Sequence, residues 1–436
     1  MARSNTTLKD DQRISMLVDA AGQAFANGRS SEAEKLLRQA QLEAPRHPLV
    51  LNEIGRSRLM AGDLAGAYEV LAHAAREEPS NASIWINLAA TLRGLNRHEE
   101  EMRAIEQVLA LEPANLRAWL QKGSLQELQN DTRAAAITYR QVLQTISPAM
   151  QLPAWMHEAL AHAKQVVDAN NRALEAFLQN RLTTLRSRYD DMPLHRFDRC
   201  LDTLVQKKRV YRQQPSFMYF PQLAAIEFYE RGDFPWLDSI EAATDDIRAE
   251  LIDVLAEDRV SLEPYVTQGT GRTIEQKWRE LHHSLRWSVY YLWREGVAYP
   301  QHIARCPRTV AALESWPRCE VPGCSPTAVF SILDAKTRIP PHTGVNNTRL
   351  VVHVPLIVPP GCGFRVGGEQ REWQPGKAFV FDDTIEHEAW NDSNEPRAVL
   401  ILDIWNPALS PAERSMVCET IAGVNDFYGF SQQRGV

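Results

Sequence analysis

Residues 327–358 read TAVFSILDAKTRIPPHTGVNNTRLVVHVPLIV. Two runs rich in β-branched and apolar residues flank a stretch of proline, glycine and asparagine, and that stretch carries a histidine. Runs of this length and composition, bounded by turn-forming residues, predict short strands. The same pattern recurs outward in both directions, at RWSVYYLW (286–293), FRVGG (364–368), AFVFDD (378–383) and AVLILDIW (398–405). Several short strands closed by such turns predict an antiparallel double-sheet domain of the sandwich, barrel or jelly-roll kind. Ahead of it lie an aromatic and proline-rich passage at 215–236 and a predicted helix through DSIEAATDDIRAELIDVLAED (238–258).

The N-terminal third has another rhythm. Pro45, Pro79 and Pro113 follow helical runs at intervals of 34 residues, with Ser147-Pro148 at the next mark. Seventeen residues before each mark stands Gly28, Gly62, Asn96 or Asn130. A small residue recurs midway at Ala33, Ala67 and Ala135, with Glu101 as the exception. The first helices align at Leu17…Ala21, Leu51-x-x-Ile54-Gly55, Trp85-x-x-Leu88-Ala89 and Trp119…Gly123. Over about residues 14–148 this resembles the tetratricopeptide repeat. Small residues let the two helices of a hairpin approach, apolar positions fill the seam, and proline ends the second helix. No hairpin buries its apolar face alone, so the units stack. Trp85 and Trp119 are expected to pack rather than to bind a ligand.

The expected division is a repeat domain at 1–148, a helical connector at 149–214 and a β-rich domain at 215–436. The fold class is therefore multidomain: an all-α solenoid followed by an antiparallel double-sheet β domain. The basic run Lys207, Lys208, Arg209 and Arg212 is expected on a solvated helix face.

A chain of 436 residues is long enough for two or three domains. A net charge of −7 gives no general reason to expect nucleic acid or an anionic membrane as partner. The N-terminus lacks the apolar segment of a signal peptide, and no stretch approaches the roughly 18–20 apolar residues of a membrane span. Six cysteines without a CxxC pair argue against a disulfide framework or structural zinc, so a reducing cytoplasm is expected.

Chemistry concentrates in the β-rich part. Pro341-His342-Thr343-Gly344 and, 45 residues after His342, Ile385-Glu386-His387-Glu388 lie at the edges of predicted strands, and Arg397 follows ten residues after His387. A jelly roll can bring two such histidines to one mouth, and imidazole suits a non-haem iron with open positions. The usual carboxylate ligand is missing, because Gly344 stands in its place. Asp382 and Asp383 are adjacent acids, and a turn-capping role is expected for them.

The stretch HTGVNNTRLVVHVPL…WQPGKAFVFDDTIEHEAWND…PRAVLILDIWNP resembles the aspartyl/asparaginyl β-hydroxylase family, over roughly residues 215–410. That resemblance implies that the β-rich part is a double-stranded β-helix (jelly-roll, cupin-like) and an iron(II)- and 2-oxoglutarate-dependent oxygenase, in which two histidines alone hold the metal, with glycine at the third position. His342 and His387 match the iron ligands, and Arg397 matches the arginine that grips the cosubstrate's distal carboxylate. Ser331 and His353 match further cosubstrate contacts, and Trp287 matches a tryptophan of the same pocket. One departure is Val351, where the vertebrate family member has arginine; either the cosubstrate pocket differs locally there, or Arg349 supplies part of the charge.

The implied reaction consumes O2 and hydroxylates Cβ of an Asp or Asn residue in a peptide or protein, with the repeat arm presenting the chain. Arg338, Arg349 and Arg365 are candidates to meet the substrate's side chain. The alternatives are the same chemistry on a small metabolite or lipid, a catalytically silent scaffold, and a non-oxygenase cupin.

Overall fold

The structure is a computed structural model in which residues 2–147, 150–267 and 275–429 are described, with the side chains of 2–11 and Ala26 left aside. Pro148, the fourth proline mark, lies outside the described residues. The chain divides into two compact units, 1–206 and 207–436.

The first unit opens with four helical hairpins: α1 (Ala2–Ala26) with α2 (Ser30–Glu43), α3 (Pro48–Met60) with α4 (Leu64–Glu77), α5 (Ala82–Gly94) with α6 (His98–Leu111), and α7 (Leu116–Leu128) with α8 (Thr132–Thr145). The residues at the period-34 turn positions all adopt left-handed backbone, with φ of 72° at Gly28, 81° at Gly62, 56° at Asn96 and 61° at Asn130. Glycine and asparagine reach that region most readily. Ala33, Ala67 and Ala135 are fully buried between helices. A methyl group at Gly55 would overlap Leu71, and one at Gly123 would overlap Tyr139. Glu101, the exception to the small-residue pattern, is buried but paired, accepting from Arg93 Nε at 2.7 Å. Trp85 and Trp119 donate their indole N–H to the carbonyls of Pro79 and Pro113, at 2.9 and 2.8 Å. Both tryptophans are thus packing residues, and they tie each hairpin to the proline turn before it.

The connector expected at 149–214 is not a separate body. The first half of α9 (Ala154–Arg186) buries Met156, Ala163 and Val167 in one cluster with Leu120, Tyr139 and Val142 of the repeats. Its apolar spacing simply continues the last hairpin's seam. After α10 (His195–Leu204) the chain passes to the second unit. There the Gln214 N–H donates to the Thr384 carbonyl at 2.7 Å, and Gln213 Nε2 to Asp382 at 2.5 Å. The basic run therefore follows α10 at the start of the second unit instead of lying on a helix face. Arg209 pairs with Glu386 at 2.9 Å and stacks over Tyr211.

In the second unit, the helix expected over 238–258 is two: α11 (Leu237–Ala242) and α12 (Thr244–Glu257), broken at Ala243. Then come β1 (Glu263–Pro264), β2 (Trp287–Arg294), β3 (Val297–Ala298), α13 (Pro300–Arg305) and α14 (Pro307–Ala312). Eight strands follow: β4 (Ala328–Leu333), β5 (Thr337–His342), β6 (Arg349–Ile357), β7 (Cys362–Val366), β8 (Glu369–Arg371), β9 (Phe379–Phe381), β10 (His387–Asn391) and β11 (Arg397–Trp405). Helix α15 (Pro411–Tyr428) closes the described chain with a capping box of Ser410 and Glu413.

The larger sheet runs β1-β2-β4-β11-β6-β9 with β3 on β2, and the smaller runs β5-β10-β7-β8. All of these strand pairs are antiparallel. From β4 to β7, and again from β8 to β11, the chain alternates between sheets, which is the winding of a jelly roll. Side chains alternate too. Phe330, Ile332, Val352, Val354, Leu400 and Leu402 join Ile247, Leu251 and Val254 of α12 in the main core. The opposite face carries Trp287, Val351 and Val399, which meet Ile339, Phe364 and Val366 of the smaller sheet. The site lies on that inner face.

Candidate active site

His342 ends β5 and His387 begins β10, and the two residues are direct partners in the ladder. Their ring centroids are 4.1 Å apart. Each Nδ1 lies against the carbonyl oxygen two residues earlier: Pro340 at 2.8 Å for His342 and Ile385 at 3.0 Å for His387. A carbonyl can only accept, so Nδ1 donates in both rings and Nε2 is left as the lone-pair nitrogen. Burial and the neighbouring His387 push the pKa of His342 well below the usual imidazole range. Burial brings His387 down to about 4. Both rings are therefore neutral near pH 7, as metal ligands must be.

Among the described residues no group of three or more His, Cys, Asp or Glu side chains is placed to hold a metal. Gly344, two residues after His342, brings no side chain beside the two imidazoles. A methyl group there would overlap the Asp383 carboxylate.

The seven residues matched to metal or cosubstrate roles, Trp287, Ser331, His342, Arg349, His353, His387 and Arg397, line one cavity of about 180 Å³, and Arg338 and Arg365 do not line it. At one end Arg397 is only 2% exposed. No carboxylate pairs with it among the described residues, and its Nε has no hydrogen-bond partner. Desolvation lowers its pKa to about 10, the mark of a buried cation without a counter-charge. His353, also buried, has an unpartnered Nδ1. Trp287 donates its indole N–H to Ser331 Oγ at 3.0 Å and stacks on Tyr265 with centroids 4.0 Å apart.

Trp373, which does not line the cavity itself, packs behind this end, and no role follows for it from the sequence. Its ring is stacked on His353 and lies 5.1 Å from the Arg397 guanidinium. The only signal was its place in the turn-rich run WQPGK, between two strands. Val351 is buried in the inner cluster, so no arginine stands two residues before His353.

Arg349 does not take over that role. It sits opposite Trp405 in the ladder, at the other end of β11 from Arg397. Its guanidinium lies between two buried carboxylates, with Nη2 at 3.1 Å from Asp383 Oδ2 and Nη1 at 3.5 Å from Asp403 Oδ2. Asp403 also accepts from Ser325 Oγ and the Thr327 N–H. An aspartate inside the apolar run AVLILDIW was the available sign of this second charge cluster. The acidic pair splits in function. Asp382 caps its turn, accepting from the Thr384 N–H at 2.9 Å and hydroxyl at 2.6 Å. Asp383 does not cap: it faces Arg349, and its Oδ1 is buried without a partner. Arg338 and Arg365 are likewise engaged, with Asp392 and with Glu386 and Glu388.

Residues 241–407 match the family model of Aspartyl/Asparaginyl beta-hydroxylase, and residues 82–115 match Tetratricopeptide repeat. Residues 241–407 are thus similar to the aspartyl/asparaginyl β-hydroxylase domain, and helical repeats come before them in the chain. It is 38% identical over 196 residues to the ornithine lipid ester-linked acyl 2-hydroxylase of Rhizobium tropici, covering 44% of this chain and 65% of that protein. It is 38% identical over 130 residues to the aspartyl/asparaginyl beta-hydroxylase of Homo sapiens, covering 29% and 17%. The aspartate beta-hydroxylase domain-containing protein 2 of Homo sapiens is 29% identical over 206 residues, 46% and 53% of the two chains. Each match spans less than two thirds of the relative's length.

Proposed function

We propose that this chain hydroxylates an unactivated C–H bond using iron(II), 2-oxoglutarate and O2, with Cβ of an Asp or Asn residue in a polypeptide as target. The observation that carries the reading is the pairing, in one cavity, of two tautomer-fixed neutral imidazoles with an uncompensated buried guanidinium. Iron(II) with 2-oxoglutarate would supply the oxidant, a task no protein side chain performs alone. His342 and His387 would hold the metal, and the Pro340 and Ile385 carbonyls orient their rings. Arg397 offers the distal carboxylate of the cosubstrate a charge-assisted, bidentate contact. Ser331, fixed by Trp287, and His353 add polar groups to the same end, while Phe364, Phe381 and Ile401 exclude water from it.

The repeat unit suits an extended polypeptide, since stacked hairpins present a long continuous surface. Among the described residues no helix is long and apolar enough to cross a membrane. The test is succinate release from protein loaded with iron(II) under anaerobic conditions and then given 2-oxoglutarate and air. Succinate that disappears in His342→Ala and His387→Ala supports the reading; none from the wild-type chain sinks it.

A second reading keeps the chemistry and changes the substrate to an acyl chain. It is favoured by the length of the match to the R. tropici protein and by the apolar wall of Phe217, Tyr265, Tyr291 and Val345. Succinate release stimulated by an ester-linked acyl lipid in micelles, and not by peptides, would select it.

A further inference from the structure

A second cavity, of about 460 Å³, opens where β11 ends. Its volume falls in the range of ligand sites, roughly 300–1,000 Å³. Trp236, from the turn before α11, and Trp405, the last residue of β11, give it aromatic walls. Arg318, from the segment after α14, and Arg414, from the first turn of α15, bring two guanidiniums.

Both arginines are held by rings instead of by carboxylates. The Arg318 guanidinium lies 4.9 Å from the Trp293 ring and 5.4 Å from that of Trp316, and the Arg414 guanidinium 5.8 Å from that of Trp405. Stacking fixes a guanidinium in place and leaves the N–H groups on its edge unspent. Neither side chain has an ion pair or a hydrogen bond among the described residues. Nε of Arg414 is closed off, but the other guanidinium nitrogens of the two residues are neither buried nor bonded. The carboxylate in the lining is that of the exposed Asp233, which pairs with neither arginine. Two cations against one carboxylate leave one positive charge, which a single further carboxylate would match through charge-assisted contacts.

The two cavities follow one another along β11. Ile401, Leu402 and Asp403 line the catalytic one, and Ile404 and Trp405 the second. Trp405 is also the ladder partner of Arg349, which lines the catalytic cavity.

We infer that the second cavity docks an acidic stretch of the polypeptide substrate: an Asp or Glu side chain meets Arg318 and Arg414, and an apolar neighbour covers Trp236 and Trp405. A small dicarboxylate would find the same charge but leave the tryptophan walls bare, whereas an extended chain uses both. The inference rests on the reading above that the substrate is a polypeptide, and it adds recognition outside the catalytic cavity.

The probe is a pool of peptides with a fixed Asn or Asp and one Glu-Leu pair at varied distances from it; a control pool carries glutamine in place of that glutamate. Binding to the full chain is measured without iron or 2-oxoglutarate. The expected result is at least tenfold tighter binding of the glutamate pool, with the preference lost in Arg318→Gln/Arg414→Gln at an unchanged melting temperature. Arg318→Lys/Arg414→Lys, which keeps the charge without the flat fork, should retain part of the preference, and His342→Ala all of it. In the full reaction the glutamine double variant should raise KM for the glutamate pool about tenfold and leave kcat as it is. Equal binding of the two pools, or a preference that survives in the double variant, overturns the inference. So does malonate binding as tightly as the glutamate pool, since the site would then serve a free small dicarboxylate. The binding measurement needs no metal, so its failure is distinct from a lack of succinate in the full reaction, which speaks against the oxygenase reading.

Discussion

Arg397 and Arg349 stand at opposite ends of one strand pair, roughly 25 Å apart at about 3.3 Å per residue. Arg397 is buried, Arg349 is partly buried, and both line the same cavity. Arg397 has an aromatic ring beside it and, among the described residues, no carboxylate, and burial pulls its pKa down to about 10. Arg349 has two carboxylates, which hold its pKa above the usual range despite desolvation. A matched charge is part of the fold. An unmatched one is a cost to the fold that a ligand can relieve, and that contrast separates a structural arginine from a binding one.

The contrast predicts effects of opposite sign. Arg349→Met should have the largest effect, because it strands two buried carboxylates; a loss of roughly 3–5 kcal/mol in denaturant unfolding is expected. A neutral result would show that the triad is not the structural element described. Arg397→Met should raise stability in the absence of cosubstrate, by on the order of 1–4 kcal/mol, since it removes a charge without a partner. A falling melting temperature would mean that Arg397 already has a counter-charge. Saturating 2-oxoglutarate with iron(II) should stabilise the wild type by about 2.7 kcal/mol at a hundredfold excess over Kd, and Arg397→Met hardly at all. Trp373→Leu, which takes the ring from beside Arg397, should have a smaller effect, weakening cosubstrate binding by about 1 kcal/mol. An unchanged affinity would confine Trp373 to packing.

The repeat unit was legible almost residue by residue, because its physics is periodic. A left-handed turn every 34 residues demands glycine or asparagine, and a close helix crossing demands Ala33, Ala67, Gly55 or Gly123. Glu101 broke the pattern because a buried ion pair with Arg93 substitutes for a small side chain. The boundary of the unit was less legible: the amphipathic α9 reads the same whether it extends the array or links two domains.

In the β-rich unit the histidines were visible as strand-edge residues, and the structure makes them ladder partners. The roles of Arg349 and Asp383 were not visible. Whether a guanidinium is matched depends on residues 34 and 54 positions away, Asp383 and Asp403, and no local pattern carries that pairing. Trp373 was hidden for the same reason, since its partners Arg397 and His353 lie on other strands.

Under the proposed function, Arg397 is held unmatched to receive a cosubstrate beside a two-histidine metal site. The most direct measurement is equilibrium binding of 2-oxoglutarate to the iron(II)-loaded chain without oxygen, comparing wild type with Arg397→Met. The expected result is metal-dependent binding that weakens about 30-fold or more in the variant, the cost of losing one partner of a buried charge pair. No binding to the wild type, or equal binding to both proteins, would contradict it.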